Sequence, residues 1–322
     1  MLAIKNNSIC TFVPIYSLYI YLFMKTLPTK SNFLGIEEQN LCSYSDSRFV
    51  IQQLPYEHTS SYLQGSAKGP AAMVKASHYV EFYDEMLDME TFRHSGIATL
   101  PAMRFEKKVN AKAIELIEKE TLKLLDDNKF VVSFGAEHTV TLGLVKAHLK
   151  KFKNLSVLQI DAHSDLRDTY HGNKFSHACV MARVHELNVK LCQVGIRAQC
   201  KEEAELIKSS KNITTFYAHQ IRQNPNWMEQ AVNALTDTVY ITIDADGFDP
   251  SVVPSVGTAE PGGLFWEEVN QLLNHVVRSK NVVGFDIVEI APAKGQILSE
   301  YAMAKLAYRL MGFLTKKRMI SL

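Results

Sequence analysis

In the stretch VLQIDAHSDLRD (157–168), Asp161, His163 and Asp165 occupy alternate positions directly after an apolar run. Alternate residues of an extended chain leave the same side, so these side chains converge where the strand ends. ITIDADGFDPS (241–251) repeats the arrangement with Asp244 and Asp246, and His138 follows the apolar run FVVSFG in GAEHTV. Together they make four carboxylates and two imidazoles. Gathered without a cation, the carboxylates would repel one another and carry raised pKa values. Four Asp charges match two divalent ions. A donor set of carboxylates and neutral imidazoles suits a hard to borderline ion such as Mn²⁺, with Zn²⁺, Co²⁺ or Ni²⁺ also able to bind. Singly, an Asp at a strand end is most often a cap or turn former. Three such clusters, each behind an apolar run, are hard to produce by capping alone.

The elements that must position them are short apolar runs alternating with helical stretches. Strands are expected at 49–55, 130–135, 155–161, 191–196, 239–244 and 282–289, and helices at 110–128, 202–210, 266–279 and 299–314, where apolar residues recur at helical spacing. The pattern predicts an α/β fold, a three-layer α-β-α sandwich around a mainly parallel sheet. In such sheets ligands sit outside the carboxyl ends of the strands, so separate segments can deliver His138, the Asp161 cluster, Asp244 with Asp246, and Glu289 to one crevice.

The chain has 322 residues, 47% hydrophobic and 21% charged, with a formal net charge of +1. These values describe a globular protein rather than a disordered or membrane-embedded one, and no basic excess points to nucleic acid. Five scattered cysteines without a CxxC pair (Cys10, Cys42, Cys179, Cys192, Cys200) read as reduced thiols of a cytoplasmic protein. Residues 9–23 are apolar but too short to span a membrane, and Pro14 interrupts them. Residues 1–23 are therefore expected to be an N-terminal extension outside the fold, with 24–322 as a single domain free of linkers and repeats.

GAEHTV, DAHSD and DADGFDPS, in that order, resemble the three signature motifs of the ureohydrolase (arginase/agmatinase) family, over roughly residues 46–314. The resemblance implies a binuclear manganese hydrolase, with two Mn²⁺ per subunit, that cleaves a guanidino compound to urea and an amine. His138, Asp161, Asp165 and Asp244 would hold one ion. His163, Asp161, Asp244 and Asp246 would hold the other, so that Asp161 and Asp244 bridge. His177 matches the family's proton shuttle, Asp165 would orient the attacking water, and Glu289 in FDIVEIAP resembles the carboxylate that pairs with the guanidinium. Asp249 is assigned to holding the metal loop. The first motif departs from the usual Gly-Gly-Asp/Glu-His-Ser at Ala136 and Thr139, and Ala136 matters only if that backbone needs positive φ.

The metal motifs are shared by arginases, agmatinases, guanidinobutyrases, guanidinopropionases and formiminoglutamases, so substrate choice falls to the loops. DLRDTYHGNKFSHACVM (165–181), SVGTAEPGGLFWEE (255–268) and the N-terminal loop at 56–77 resemble agmatinase loops, and Arg167 stands where an arginase carries a small polar residue. The expected reaction is agmatine plus water to putrescine plus urea, a step of polyamine biosynthesis. The related deacetylases use a single zinc and paired histidines, and no His-His pair occurs here. A non-catalytic binding homologue would have lost a ligand or the shuttle. The partner implied is a small-molecule guanidino substrate, with no nucleic acid or membrane, in a homo-oligomer of trimer or hexamer type as in the family.

Overall fold

A computed structural model describes residues 25–321, and the expected extension at 1–23 lies outside them. The strands are β1 (Phe49–Leu54), β2 (Tyr83–Asp84), β3 (Met89–Glu90), β4 (Ile97–Thr99), β5 (Phe130–Gly135), β6 (Leu155–Ile160), β7 (Lys190–Ile196), β8 (Ile213–Tyr217), β9 (Thr238–Asp244) and β10 (Asn281–Val288). β2 and β3 form a small antiparallel ribbon. The other eight make one sheet in the order β4-β1-β5-β10-β9-β6-β7-β8. Every pairing within it is parallel. All carboxyl ends therefore share one edge, and β5, β10, β9 and β6, which precede the polar clusters, are its four central strands. The chain leaves β5, crosses to β6 and later inserts β9 and β10 between them, which opens the crevice where the strand order reverses.

The six expected strands stand with ends shifted by one residue at most. β1 stops before Pro55, which has no N–H for the ladder. Two sheet strands were not expected: β4 has only three residues, and β8, ITTFY, is a partly exposed edge without clean alternation. The helix Val140–Lys151 was also unexpected, because Thr141, Gly143 and Val145 weaken its local signal. Gly143 serves packing there: a Cβ would lie 2.8 Å from the Ile114 carbonyl oxygen of the helix Ala111–Asp126. The C-terminal helix runs Leu298–Ile320, six residues beyond the expected end at 314, since no Gly or Pro stops it. Lys316 and Lys317 on that last stretch donate to the carbonyls of Leu87 (3.0 Å) and Lys280 (2.7 Å).

Alternation along the strands feeds two cores. Ile51, Val132, Leu158, Ile160, Ile241 and Ile287 pack with the helices Gly69–Ala76, Trp227–Ala234, Trp266–Ser279 and Leu298–Ile320. Val157, Leu191 and Tyr240 face the opposite way, against the helices Ala111–Asp126, Val140–Lys151 and Val180–His185. This is the expected three-layer sandwich. On the second face the strands turn polar near their carboxyl ends. In register across the sheet lie Gln52, Ser133, Asp286, Thr242, Gln159, Gln193 and Thr215. The next residues on that face, two further along β6 and β9, are Asp161 and Asp244. Among the described residues no helix is long and apolar enough to cross a membrane.

Candidate metal centre

The expected ligands converge at the carboxyl edge. His138 Nδ1 lies 3.1 Å from Asp161 Oδ2, 3.0 Å from Asp165 Oδ2 and 3.4 Å from Asp244 Oδ2. His163 Nδ1 lies 3.0 Å from Asp246 Oδ2 and 3.7 Å from Asp161 Oδ1. Two compact groups result, His138 with Asp161 and Asp165, and His163 with Asp161 and Asp246, each with ligand atoms within 4.8 Å of one another. Asp161 belongs to both. Asp244 offers Oδ2 to the first group, while its Oδ1 accepts the Asp246 N–H at 2.9 Å.

Neighbouring hydrogen bonds orient these side chains. Thr242 Oγ1 donates to Asp286 Oδ1 (2.7 Å), so it accepts from His138 Nε2–H (2.9 Å). In the neutral ring His138 Nδ1 then carries the lone pair, fully buried, aimed at three carboxylates and without a hydrogen-bond partner. Burial opposes a charge on this ring, yet with no metal between them Asp161, Asp165 and Asp244 outweigh it and raise the imidazole well above its usual range. An unpartnered buried acceptor among acids has the surroundings of a metal ligand. Arg197 donates to the carbonyls of Asp246 (2.7 Å), Gly247 (3.2 Å) and Phe248 (3.1 Å), and also to that of Glu260 (2.8 Å). It thereby ties the metal loop to the 255–263 loop. Asp249 reinforces the tie by accepting from Gly262 N (3.0 Å) and Gly263 N (3.1 Å). Ala136 is not among the positive-φ residues, so the departure from the family's Gly-Gly is sterically free there, whereas Asp165 (φ 53°) and Glu289 (φ 66°) are left-handed.

Gly247 lies where the two loops touch. A Cβ on it would sit 2.7 Å from the Asp161 backbone nitrogen and 3.0 Å from its Cα. Neither is the end of a flexible side chain. Gly247→Ala is therefore expected to lower stability by about 1–3 kcal/mol and to weaken metal retention, as measured by thermal unfolding with metal analysis.

The electrostatics show what the cluster favours. Burial pushes the Asp161 carboxyl up to about 7, with Asp165 and Asp246 adding to it. Burial, then Asp246 and Asp161, raises Asp244 well above the usual range. Burial opposes a charge on His163, yet Asp246 and Asp161 outweigh it and carry the imidazole up to about 11. Without a cation, the site holds protons where divalent ions would sit. The residues thus fit a pair of hard to borderline ions, and Asp161 and His163 would bind them in place of those protons.

Beside the ligands is a cleft of about 180 Å³, lined among others by His163, Asp165, Arg167, Tyr170, His177 and Glu289. Glu289 Oε1 accepts the His138 N–H at 2.7 Å, and burial, reinforced by Glu137, pushes its carboxyl well above the usual range. His177 Nδ1 is 3.0 Å from Thr59 Oγ1, which also accepts the His177 N–H at 3.0 Å. The loop carrying Thr59 is itself held from the metal side, since Glu137 Oε2 accepts the His58 and Thr59 N–H groups at 2.8 and 2.6 Å. Glu57 braces its far end by accepting from Gly65 N (2.7 Å) and Ala67 N (3.0 Å). A larger groove of about 480 Å³, near the end of the C-terminal helix, is lined by neither carboxylate nor imidazole.

Sequence reasoning missed Thr59, Glu137, Thr242, Asp286, Gln159 and Arg197. The available signal was a buried polar residue inside an otherwise apolar strand, as at Gln159, Thr242 and Asp286, two or three positions before a site residue.

A family profile described as Arginase family matches residues 47–312. The chain is 42% identical over 284 residues to an N(1)-aminopropylagmatine ureohydrolase of Synechocystis sp., covering 86% of this chain and 92% of that one. It is 33% identical to an agmatinase of Pyrococcus horikoshii, covering 83% and 92%. Among solved structures, the agmatine ureohydrolase of Thermoplasma volcanium superposes with a TM-score of 0.79 at 27% identity, over 95% of this chain and all of that one.

Proposed function

Because the chain belongs to the arginase family and is a ureohydrolase of the agmatinase type, we propose that it hydrolyses a linear guanidino-amine, agmatine or its N1-aminopropyl derivative, to urea and the free amine. The observation that carries this reading is that two ligand groups sharing the buried Asp161 present His163, Asp165 and Asp246 to a cleft also lined by Glu289 and His177. His138, Asp161, Asp165, Asp244, His163 and Asp246 would hold two ions, in our reading Mn²⁺. When bound, such ions would supply Lewis acidity and lower the pKa of a bound water from about 15.7 towards about 7.

The chain's own groups do the rest. Glu289 keeps Oε2 and one Oε1 lone pair free to receive a guanidinium, and a planar pair fixes the carbon above the metal floor. Asp165 accepts a hydrogen bond from the attacking water and sets its direction. The water gives up one O–H proton to solvent as it forms the C–O bond at the guanidinium carbon, and the C=N electron pair moves onto nitrogen. The C–N bond to the alkyl amine then breaks, and His177 delivers the proton that makes the amine a competent leaving group.

The loops read as those of agmatinases, which favours agmatine and its product putrescine. The identity of 42% to a relative named for N(1)-aminopropylagmatine favours the longer substrate, whose hydrolysis would release spermidine. Urea release from Mn²⁺-loaded protein, compared among both amines, arginine, 4-guanidinobutyrate and 3-guanidinopropionate, separates them. A kcat/KM highest for a guanidino acid would overturn the amine reading. Stripping with a chelator is expected to abolish turnover, and a ligand at 100 times its Kd contributes about 2.7 kcal/mol, a drop of about 5 °C in Tm when removed. Restoration by Mn²⁺, with two ions per chain by metal analysis, completes that test.

A further inference from the structure

The polar row on the sheet has an arm that the proposed reaction does not use. Gln159 Nε2 donates to Asp161 Oδ2 (2.7 Å) and to the His163 carbonyl (3.1 Å). Its Oε1 accepts from Gln193 Nε2 (2.7 Å), which also donates to the Ser164 carbonyl (2.8 Å). Gln193 Oε1 in turn accepts from Thr215 Oγ1 at 2.8 Å, on edge strand β8. Both amides are fully buried with every donor and acceptor matched. The direction is forced. A carboxylate only accepts, so Gln159 must turn its NH₂ towards Asp161. Its oxygen then needs a donor, so Gln193 turns its NH₂ towards it and the Ser164 carbonyl, which can only accept, and leaves its own oxygen to accept from the Thr215 hydroxyl.

The consequence falls on Asp161. One of its oxygens, Oδ2, takes the Gln159 bond, and the other, Oδ1, takes the His163 N–H at 2.6 Å. Each oxygen keeps a lone pair, Oδ2 beside His138 and Oδ1 beside His163. The carboxylate is thus locked with one oxygen towards each ligand group, the pose a bridge requires.

We propose that Gln159 is a positioning residue that fixes Asp161 as the bridge between two ions, and that Gln193 and Thr215, reaching two strand spacings or about 10 Å away, fix Gln159. This rests on the reading of Asp161 as a shared metal ligand. Rotational freedom returned to Asp161 would disfavour simultaneous binding of both ions before it affected the fold.

The test uses the full chain as wild type, Gln159→Leu, Thr215→Val and Thr215→Ser, with Mn²⁺ titrated calorimetrically and the loaded proteins examined by electron paramagnetic resonance. Gln159→Leu is expected to weaken Mn²⁺ binding about 10- to 100-fold and to replace the exchange-coupled pair signal by a mononuclear one. Thr215→Val should shift affinity the same way by a smaller factor, and Thr215→Ser should restore it. A folded Gln159→Leu protein with wild-type affinity and a coupled spectrum overturns the proposal. If that variant does not fold, Thr215→Val decides, and equal affinity in the Val and Ser variants overturns it. Wild type that binds fewer than two ions would overturn the binuclear reading itself, a failure visible before any variant is compared.

Discussion

Replacing Asp161 by Asn is expected to lower kcat/KM by about 10³-fold or more, about 4 kcal/mol of transition-state stabilisation, and to strip metal from both positions. Size is conserved, so the effect isolates the charge and the acceptor. The two oxygens of Asp161 accept from Gln159 Nε2 and from His163 N. An Asn in the same pose must set its NH₂ against one of these donors whichever way it turns. That amide nitrogen is also no ligand. Metal content after dialysis and urea release report the two halves of the effect.

The metal-free protein gives the same residue a signature in pH. The Asp161 carboxyl stands at about 7 in the folded chain, against about 4 for an exposed Asp. A raised folded value means the native state binds the extra proton, so stability falls as pH rises from about 4 to about 7 and the penalty is then fully present. The His163 imidazole at about 11 adds a contribution lost as pH rises further. Asp161→Asn should flatten the lower part of this decline in the metal-free protein. An unchanged slope of Tm against pH would show that Asp161 is not under this strain.

Much of this centre can be read from sequence because its candidate ligands obey local rules. Asp161, His163 and Asp165, like Asp244 and Asp246, follow apolar strands at period two, and parallel pairing brings such strand ends to one edge. What sequence does not contain is which strands become neighbours. The order β5-β10-β9-β6 is set by a crossover that leaves room for two later strands, and no local signal records it. The braces are likewise long-range. Thr59 reaches His177 across 118 positions and Asp286 reaches the His138 ring through Thr242. Thr59 sits in the loop after β1, while Asp286 and Thr242 stand inside strands where an apolar residue is the expectation and only the register across the sheet gives them partners.

Glu289→Gln is expected to lower kcat/KM by about 10²-fold, about 3 kcal/mol, while both ions stay bound. Glu289 sits in a left-handed backbone pose held by its own N–H on the Ala136 carbonyl at 2.7 Å, and its Oε1 accepts from His138 N. Gln can keep the His138 bond through its amide oxygen. It then presents NH₂ to the guanidinium, a donor facing donors, and removes the carboxylate charge assigned to neutralising the substrate. Burial and Glu137 raise the wild-type carboxyl, so an empty site resists ionisation and a cation is the group that offsets it. Wild-type kcat/KM should therefore fall on the acid side as Glu289 takes up a proton, and the Gln variant, slower throughout, should lose that limb. Loss of metal in the variant, or an acid limb identical to wild type, would remove Glu289 from substrate binding and return it to a structural tie between β10 and the His138 loop.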